Sequence, residues 1–157
     1  MGLRGCFIRG DGLIIPNNVT EYGCKLFLEL AFQDSSYNVY IALANAVPDF
    51  GLQLEELNEP TLGVNGYARQ AIARDNIDWP TIALELGEPY IESKNFVFAA
   101  TGGPYDKAIN RLALVNHQTS VLGAEVIALS AAMPAELTID VGTPELSRTF
   151  KYRLYLR

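Results

Sequence analysis

The chain has 157 residues, with 12 Lys or Arg against 18 Asp or Glu, which gives a formal net charge of −6 at pH 7. This length suits one domain, and a composition that is 49% hydrophobic and 19% charged is ordinary for a globular protein. The acidic balance excludes general nucleic-acid binding, which depends on neutralising phosphates. No apolar run reaches the roughly 20 residues that a membrane helix requires, and the start lacks a signal-peptide pattern, so we expect a cytosolic protein.

The N-terminal part is expected to differ from the rest of the chain. Residues 1–18 have four glycines in the first twelve positions and predict an irregular arm, or an added edge strand through GCFIR. The segment NVTEYGCKLFLELAF predicts one short α-helix, because Asn18 can act as N-cap and apolar residues recur at helical spacing. Residues 19–157 are therefore predicted to form a single β-rich domain that begins with this helix.

The remaining pattern has a period of two, which is typical of strands. Predicted strands lie in YNVYIALA, YARQAIA, KNFVFAA, INRLALVN, VLGAEVIALSAA, ELTIDV and the closing RTFKYRLYLR. A single helical turn is predicted between Leu52 and Leu57. Several short strands separated by Gly and Pro turns predict a mainly β fold, an antiparallel β-sandwich or barrel-like domain.

The last strand is basic although the chain is acidic. The final ten residues hold four cationic and no acidic residues, while nine acids and two arginines lie between Asp49 and Glu92. Alternation places the apolar side chains of this strand on one face and its charges on the other. The charged face is expected to look toward solvent, toward the acidic stretch, or toward another chain. The candidate partner-contact residues are Arg4, Arg9, Lys151, Arg153 and Arg157.

Patterns that carry chemistry are weak. His117 is the only histidine, so a histidine-dependent triad would have to use it, but it lies in a predicted loop. The segment TGGPYDK lacks the ending of a phosphate loop and predicts a β-turn. Cys6 and Cys24 are more consistent with two buried thiols than with a disulfide. We therefore expect no enzymatic activity, no cofactor and no metal site.

Two acidic groups have residue types that could form sites. Glu55, Glu56 and Glu59 are adjacent carboxylates, but a solvated loop explains them better than a glycosidase pair. The stretch DNID offers oxygen ligands from residues 75–78, yet it lacks the full loop of a calcium site.

The order of elements and one short motif resemble a known family. The motif is Gly66-Tyr67-Ala68-Arg69-Gln70, which follows a helix and a strand ending in Pro-Asp and precedes a β-rich half. This arrangement resembles small tailed-bacteriophage virion proteins of the head-decoration, cement or fibre type, over about residues 19–157. The acidic link LEELNEPTLGVN departs from the Gly/Ser-rich link of that family. The family has no catalytic residues to transfer, but Arg69 is expected to pair with an acid at the core rim.

The resemblance implies a non-enzymatic virion structural protein. It would be a capsid cement or decoration protein that binds the major capsid protein, or another virion protein, on the outer shell. It would act as a homo-oligomer, be assembled in the host bacterial cytoplasm, and need neither nucleic acid nor membrane. Its candidate contacts are the N-terminal arm and the basic strand face. The alternatives are a tail or fibre component, and a small carbohydrate-binding β-module that uses Trp79, Tyr90 and Tyr105 for stacking.

Overall fold

The computed structural model of the chain describes residues 3–19, 38–47, 49, 51–73, 75, 77–133 and 148–156. Within these ranges the fold is mainly β. Ten strands follow in chain order: β1 (Leu3–Arg9), β2 (Ile14–Val19), β3 (Val39–Ala44), β4 (Gln70–Ile72), β5 (Thr81–Glu85), β6 (Glu88–Glu92), β7 (Phe96–Phe98), β8 (Arg111–Val115), β9 (Ala128–Ser130) and β10 (Arg148–Leu156). Helical structure in the described part is limited to two 3-10 turns, Leu54–Glu56 and Val64–Gly66.

Every strand pairing in the described part is antiparallel, in the order β4-β3-β8-β9-β2-β1-β10-β6-β5. The long strand β10 pairs with β1 along one edge, and with β7 and then β6 along the other. The order runs from β4 to β5 without joining them, so the described sheet does not close into a barrel. The prediction of a mainly β, antiparallel fold is confirmed.

Strands from both ends of the sheet contribute side chains to one hydrophobic core. Ile41 and Leu43 of β3 belong to the same buried cluster as Phe7 of β1 and Phe150 and Tyr152 of β10, and all five are 0% exposed. The Phe7 and Tyr152 rings meet edge to face, with centroids 5.0 Å apart. Because β3 and β10 lie far apart in the strand order, the sheet must fold over so that its two halves face each other across this core.

A second cluster covers the opposite face of β3. Tyr40, Ala42 and Ala44 point away from the main core and are buried with Leu54 and Leu57. All six residues of β3 are therefore buried, and the strand is a continuous apolar run, as expected for a strand covered on both faces. The 3-10 turn that supplies Leu54 matches the helical turn predicted between Leu52 and Leu57, and it leads directly to Glu59 at the candidate site.

The N-terminal segment differs from the irregular arm expected for residues 1–18. β1 pairs with β10 on one side and β2 on the other, so the strand through GCFIR lies inside the sheet and not at its edge. Phe7 and Ile15 are 0% and 2% exposed in the main core. Gly12, at φ +88°, serves the turn between the two strands. The glycines therefore build a hairpin turn, and one buried aromatic residue fixes β1 in the sheet.

Other predicted elements have mixed outcomes. Asn18, the predicted N-cap, lies in β2 opposite Leu129, and most of the predicted helix falls in residues 20–37, outside the described residues. The predicted strand ELTIDV, residues 136–141, is also outside them. The other six predicted strands are confirmed with shorter bounds, as β3, β4, β7, β8, β9 and β10. The β5–β6 hairpin, residues 81–92, was not predicted.

Candidate functional site

The basic face of β10 is paired with acids of the β5–β6 hairpin. Arg153 lies opposite Glu92 in the strand register, and its Nη2 and Nε atoms lie 2.6 and 2.7 Å from Glu92 Oε2. Lys151 Nζ is 2.5 Å from the other carboxylate oxygen of Glu92. Arg153 Nη1 also donates to both oxygens of Glu85, at 3.0 and 3.1 Å. The sequence left solvent, the acidic stretch or another chain as possible surroundings of the basic face. The structure shows that Lys151 and Arg153 face the acidic stretch.

Aromatic rings cover this charge cluster. The Arg153 guanidinium lies 4.2 Å from the centre of the Tyr90 ring and 5.9 Å from that of Tyr155, within cation–π range. The Tyr155 hydroxyl donates to Glu85. Burial alone would lower the pKa of Arg153, but hydrogen bonds to Tyr155 and Glu92 raise it above its usual value. Burial, and then the bond to Glu85, raises the pKa of Tyr155. The cluster thus keeps its charges inside one fixed arrangement.

The other candidate contact residues lie elsewhere. Arg9 forms an exposed ion pair with Asp11 in the β1–β2 turn, at 2.6 Å. The hydrogen bond from Arg9, and then the one from the Leu13 backbone, lowers the pKa of Asp11 to about 2. Arg4 occupies β1 opposite Tyr155, and its side chain, like all of Arg157, lies outside the described residues. The structure therefore brings Lys151 and Arg153 together and places Arg9 in a separate exposed turn.

The motif that carries the resemblance builds a buried ion pair. The Arg69 side chain is 0% exposed and pairs with Glu59, whose side chain is 10% exposed. Arg69 Nη2 and Nε donate to the two Glu59 oxygens, and Arg69 Nη1 donates to the carbonyls of His117 and Thr119 at 2.7 and 2.9 Å. The expectation that Arg69 pairs with an acid at the core rim is confirmed. The interpretation of Glu59 as a solvated carboxylate is wrong, because burial of Arg69 requires a buried counter-charge.

Tyr67 extends this pair into the sheet, and Arg69, Glu59 and Tyr67 are named the Arg69 cluster below. The Tyr67 hydroxyl donates to Glu59 Oε2 at 2.9 Å and accepts the Leu43 N–H at 3.1 Å. Burial raises the pKa of Tyr67, and the negative charge of Glu59 raises it further. One cluster therefore joins four separate parts of the chain: β3, the loop after the first 3-10 turn, the segment before β4, and the loop after β8. Its donors and acceptors hydrogen-bond to each other and to the backbone, as expected of buried polar residues that stabilise the fold.

The segment before Tyr67 fits tightly against a glycine-rich loop. Gly66 has φ +78°, and a Cβ at this position would collide with Thr101 Oγ1. The Thr101 N–H donates to the Asn65 carbonyl at 2.8 Å, and Asn65 Nδ2 donates to the Pro104 carbonyl. The segment TGGPYDK is thus a loop that holds Gly66, in agreement with the turn predicted there.

The residues considered for chemistry have structural partners. His117 is half-buried in the loop after β8 and offers its carbonyl to Arg69. Asp78 is 5% exposed, pairs with Lys94, and accepts the Ala73 N–H at 2.7 Å. Burial acts to raise the pKa of Asp78, but these hydrogen bonds outweigh it and lower that pKa. Among the described residues, no group of three or more His, Cys, Asp or Glu is placed to hold a metal ion.

The aromatic residues proposed for sugar stacking are not presented as a platform. Tyr105 is 5% exposed, and its hydroxyl donates to the Ala99 carbonyl. Trp79 is half-buried against the main core, with its ring 6.4 Å from that of Tyr152. Tyr90 is half-buried and lies beneath the guanidinium of Arg153. Stacking on a sugar requires an exposed ring, so Tyr105 does not fit this use, and Trp79 and Tyr90 are only partly accessible.

Sequence reasoning missed an exposed apolar face on the β5–β6 hairpin. Ile82, Leu84 and Leu86 alternate along one face and are 79%, 72% and 101% exposed. The signal is present in the sequence, because TIALELGEPYIE alternates on both sides of Leu-Gly, although proline such as Pro89 is unfavourable in an interior strand. We name Ile82, Leu84, Leu86 and Pro89 the hairpin face.

Comparisons with known proteins do not assign this chain to a family. A scan against models of known protein families finds no match to this chain, and a search of curated protein sequences finds no significant relative. None of the helices in the described residues has the length and apolar character needed to cross a membrane. The resemblance seen in residues 66–70 and in the order of elements therefore stays a prediction.

Proposed function

We propose that this protein is a non-enzymatic structural module that works by protein–protein contact. Its two facing sheet halves are proposed to form a β-sandwich. The observation that carries the proposal is the Arg69 cluster. The motif that carries the resemblance forms an internal ion pair and hydrogen bonds, in which Arg69, Glu59 and Tyr67 are one another's partners. A motif of this kind supports a shape, whereas a catalytic motif would leave polar groups directed at a substrate.

For the biological setting we propose the virion of a tailed bacteriophage, assembled in the bacterial cytoplasm. The chain would be a cement or decoration protein that binds the major capsid protein on the outer shell and stabilises it against the pressure of packed DNA. This setting rests on the sequence resemblance. Many copies on a symmetric shell can hold it through contacts that are individually modest, because linked contacts gain avidity.

The hairpin face is a better candidate contact surface than the basic strand face or the N-terminal residues. Lys151 and Arg153 are balanced by Glu92 and Glu85, so these two cations of the basic strand face offer little unpaired positive charge. Residues 3–9 form β1 in the interior of the sheet, so they are not a separate arm that could reach a partner. The hairpin face is exposed and apolar, which is typical of a surface that another protein covers.

The test is the copy number of this chain in purified particles of the phage that encodes it, by quantitative mass spectrometry against the major shell subunit. A copy number of the same order as the shell subunit supports the cement role. A number far below it supports the first alternative, a tail or fibre component. Absence of the chain from the particles overturns the virion proposal.

A carbohydrate-binding β-module is the second alternative. The structure weakens it, because Tyr105 is buried and Tyr90 is covered by Arg153. A glycan array with the purified protein tests it directly. Specific glycan binding that Trp79→Ala removes would favour this alternative over the structural role.

A further inference from the structure

The β5–β6 hairpin combines an exposed apolar face with the end of the described sheet. β5 is the last strand in the order, and it connects to β6 through Leu86 and Gly87. Both turn residues have positive φ, +52° and +83°, as the commonest two-residue hairpin turn requires. Leucine rarely adopts this conformation, and here its side chain points into solvent.

The hairpin face continues the apolar face of the core. Ile82 lies opposite Ile91 of β6, and Ile91 lies opposite Leu154 of β10, which packs against the main core. On the other face of the same strands, Arg153 fixes the hairpin to β10 through Glu85 and Glu92. The ion pairs therefore join the hairpin to β10, while its apolar face extends beyond the main core.

The register also shows which backbone groups lie at the edge. In a two-residue hairpin the residues that flank the turn exchange both hydrogen bonds, and such pairs then alternate along the strands. Glu85 and Ala83 therefore bond to β6, opposite Glu88 and Tyr90. The N–H and C=O groups of Ile82 and Leu84 then point away from β6, toward the edge of the described sheet.

We propose that β5 pairs with β5 of a second copy, antiparallel, about a two-fold axis at Ala83. This register places Ile82 opposite Leu84 of the second copy and Leu84 opposite its Ile82, and about four backbone hydrogen bonds join these outward-pointing groups. Leu86 then meets Pro80 of the second copy. The hairpin faces of the two copies become one continuous apolar surface.

Charge favours this occupant and this register. Glu85 of each copy falls opposite Thr81 of the other, so the two Glu85 carboxylates lie at opposite ends of the pairing and do not face each other. Within its own chain Glu85 is already balanced by Arg153. An acidic protein of net charge −6 can thus bring two identical edges together without a like-charge contact in the strand pairing.

The contact area of this pairing is small. Ile82, Leu84 and Leu86 are exposed by 72–101%, so large apolar side chains of the two copies meet sideways across the paired strands. Edge pairing leaves the two hairpin faces side by side on one face of the joined sheet, so the buried area comes from these sideways contacts and the strand edges and stays below the ~1,000 Å² of a typical specific interface. A weak symmetric dimer is therefore expected.

Sedimentation of the purified full chain from about 1 to 100 μM tests the proposal. We expect a dimer whose dissociation constant rises at least ~100-fold in Ile82→Lys/Leu84→Lys, because two central apolar contacts become like-charge contacts. The matched control is Val47→Lys/Leu122→Lys, which changes two exposed apolar residues outside the hairpin, 82% and 88% exposed. A wild-type monomer throughout the range, or equal loss of dimer in both variants, would overturn the inference.

Disulfide trapping tests the register in the same protein. Ala83→Cys places two cysteines opposite each other at a Cα separation of about 4.5 Å, within the range of a disulfide. Thr81→Cys is the control, because its two copies would lie roughly 14 Å apart. Covalent dimer from Ala83→Cys alone supports the register, and equal trapping at both positions contradicts it. Neither experiment uses virions, so this inference and the proposed function can fail separately.

Discussion

Replacing Arg69 with methionine removes one side of a buried ion pair and leaves the other in place. The Glu59 carboxylate keeps the Tyr67 hydroxyl but loses both Arg69 donors, and the carbonyls of His117 and Thr119 lose their Arg69 hydrogen bonds. Breaking a buried pair in this way costs about 3–5 kcal/mol, because the remaining charge stays in a poorly hydrated place. A domain of this size is stable by roughly 5–15 kcal/mol, so Arg69→Met is expected to remove a large part of its stability.

Equilibrium unfolding in urea at pH 7 measures this loss, and Arg9→Met is the matched control. Arg9 also pairs with a carboxylate, that of Asp11, but both side chains are partly exposed, at 26% and 57%. The control should cost less than about 1 kcal/mol. In the double variant Arg69→Met/Glu59→Leu no charge is left without its partner, so it should be more stable than Arg69→Met alone. Equal, small losses in Arg69→Met and Arg9→Met would refute the account of the Arg69 cluster.

Three further predictions concern stability, and urea unfolding measures each. Asp78→Asn should lower the free energy of unfolding by on the order of 1 kcal/mol at pH 7. Because the folded-state pKa of Asp78 is lowered, this difference in stability from wild type should shrink below about pH 4, and a difference that does not change with pH would contradict the Asp78–Lys94 pairing. Gly66→Ala should lower the free energy of unfolding by at least about 1–2 kcal/mol, because φ is +78° and the new Cβ would collide with Thr101. Unchanged stability would show that the loop of Thr101 can move away at little cost. Leu86→Asn should gain about 1 kcal/mol when measured at low protein concentration, because Asn before Gly87 suits a turn with two positive φ values; a loss would contradict that turn.

Strands β3 and β10 were predictable because their patterns have a period of two. Ile41 and Leu43 follow that period, and so do Phe150 and Tyr152, and each is fully buried. β1 was harder to predict because glycines surround Phe7, and glycine content indicates loop when only local sequence is considered. What fixes β1 is its pairing with β10, about 150 residues later in the chain, and no local pattern carries that information.

The β5–β6 hairpin was missed for a related reason. Pro89 argues against an interior strand, because it has no N–H to donate. In the structure Pro89 lies opposite Leu84, at a position where the missing N–H would point away from β5, and the pairing of β6 with β10 covers only residues 90–92. Proline is therefore tolerated at this one position of β6. The Arg69 cluster was half predictable, because the need for an acid was clear from Arg69 but Glu59 was not identified.

The acidic and basic parts of the sequence are explained by the same strand register. Arg153 lies directly opposite Glu92, and Lys151 and Glu85 complete the cluster from neighbouring positions on the same face. Four charges that look unbalanced along the chain therefore cancel in space, beside the rings of Tyr90 and Tyr155. Lys151 and Arg153 are therefore weak candidates for an electrostatic docking surface. Their function is to hold the hairpin in place, which leaves the opposite, apolar face of that hairpin as the surface available for another protein.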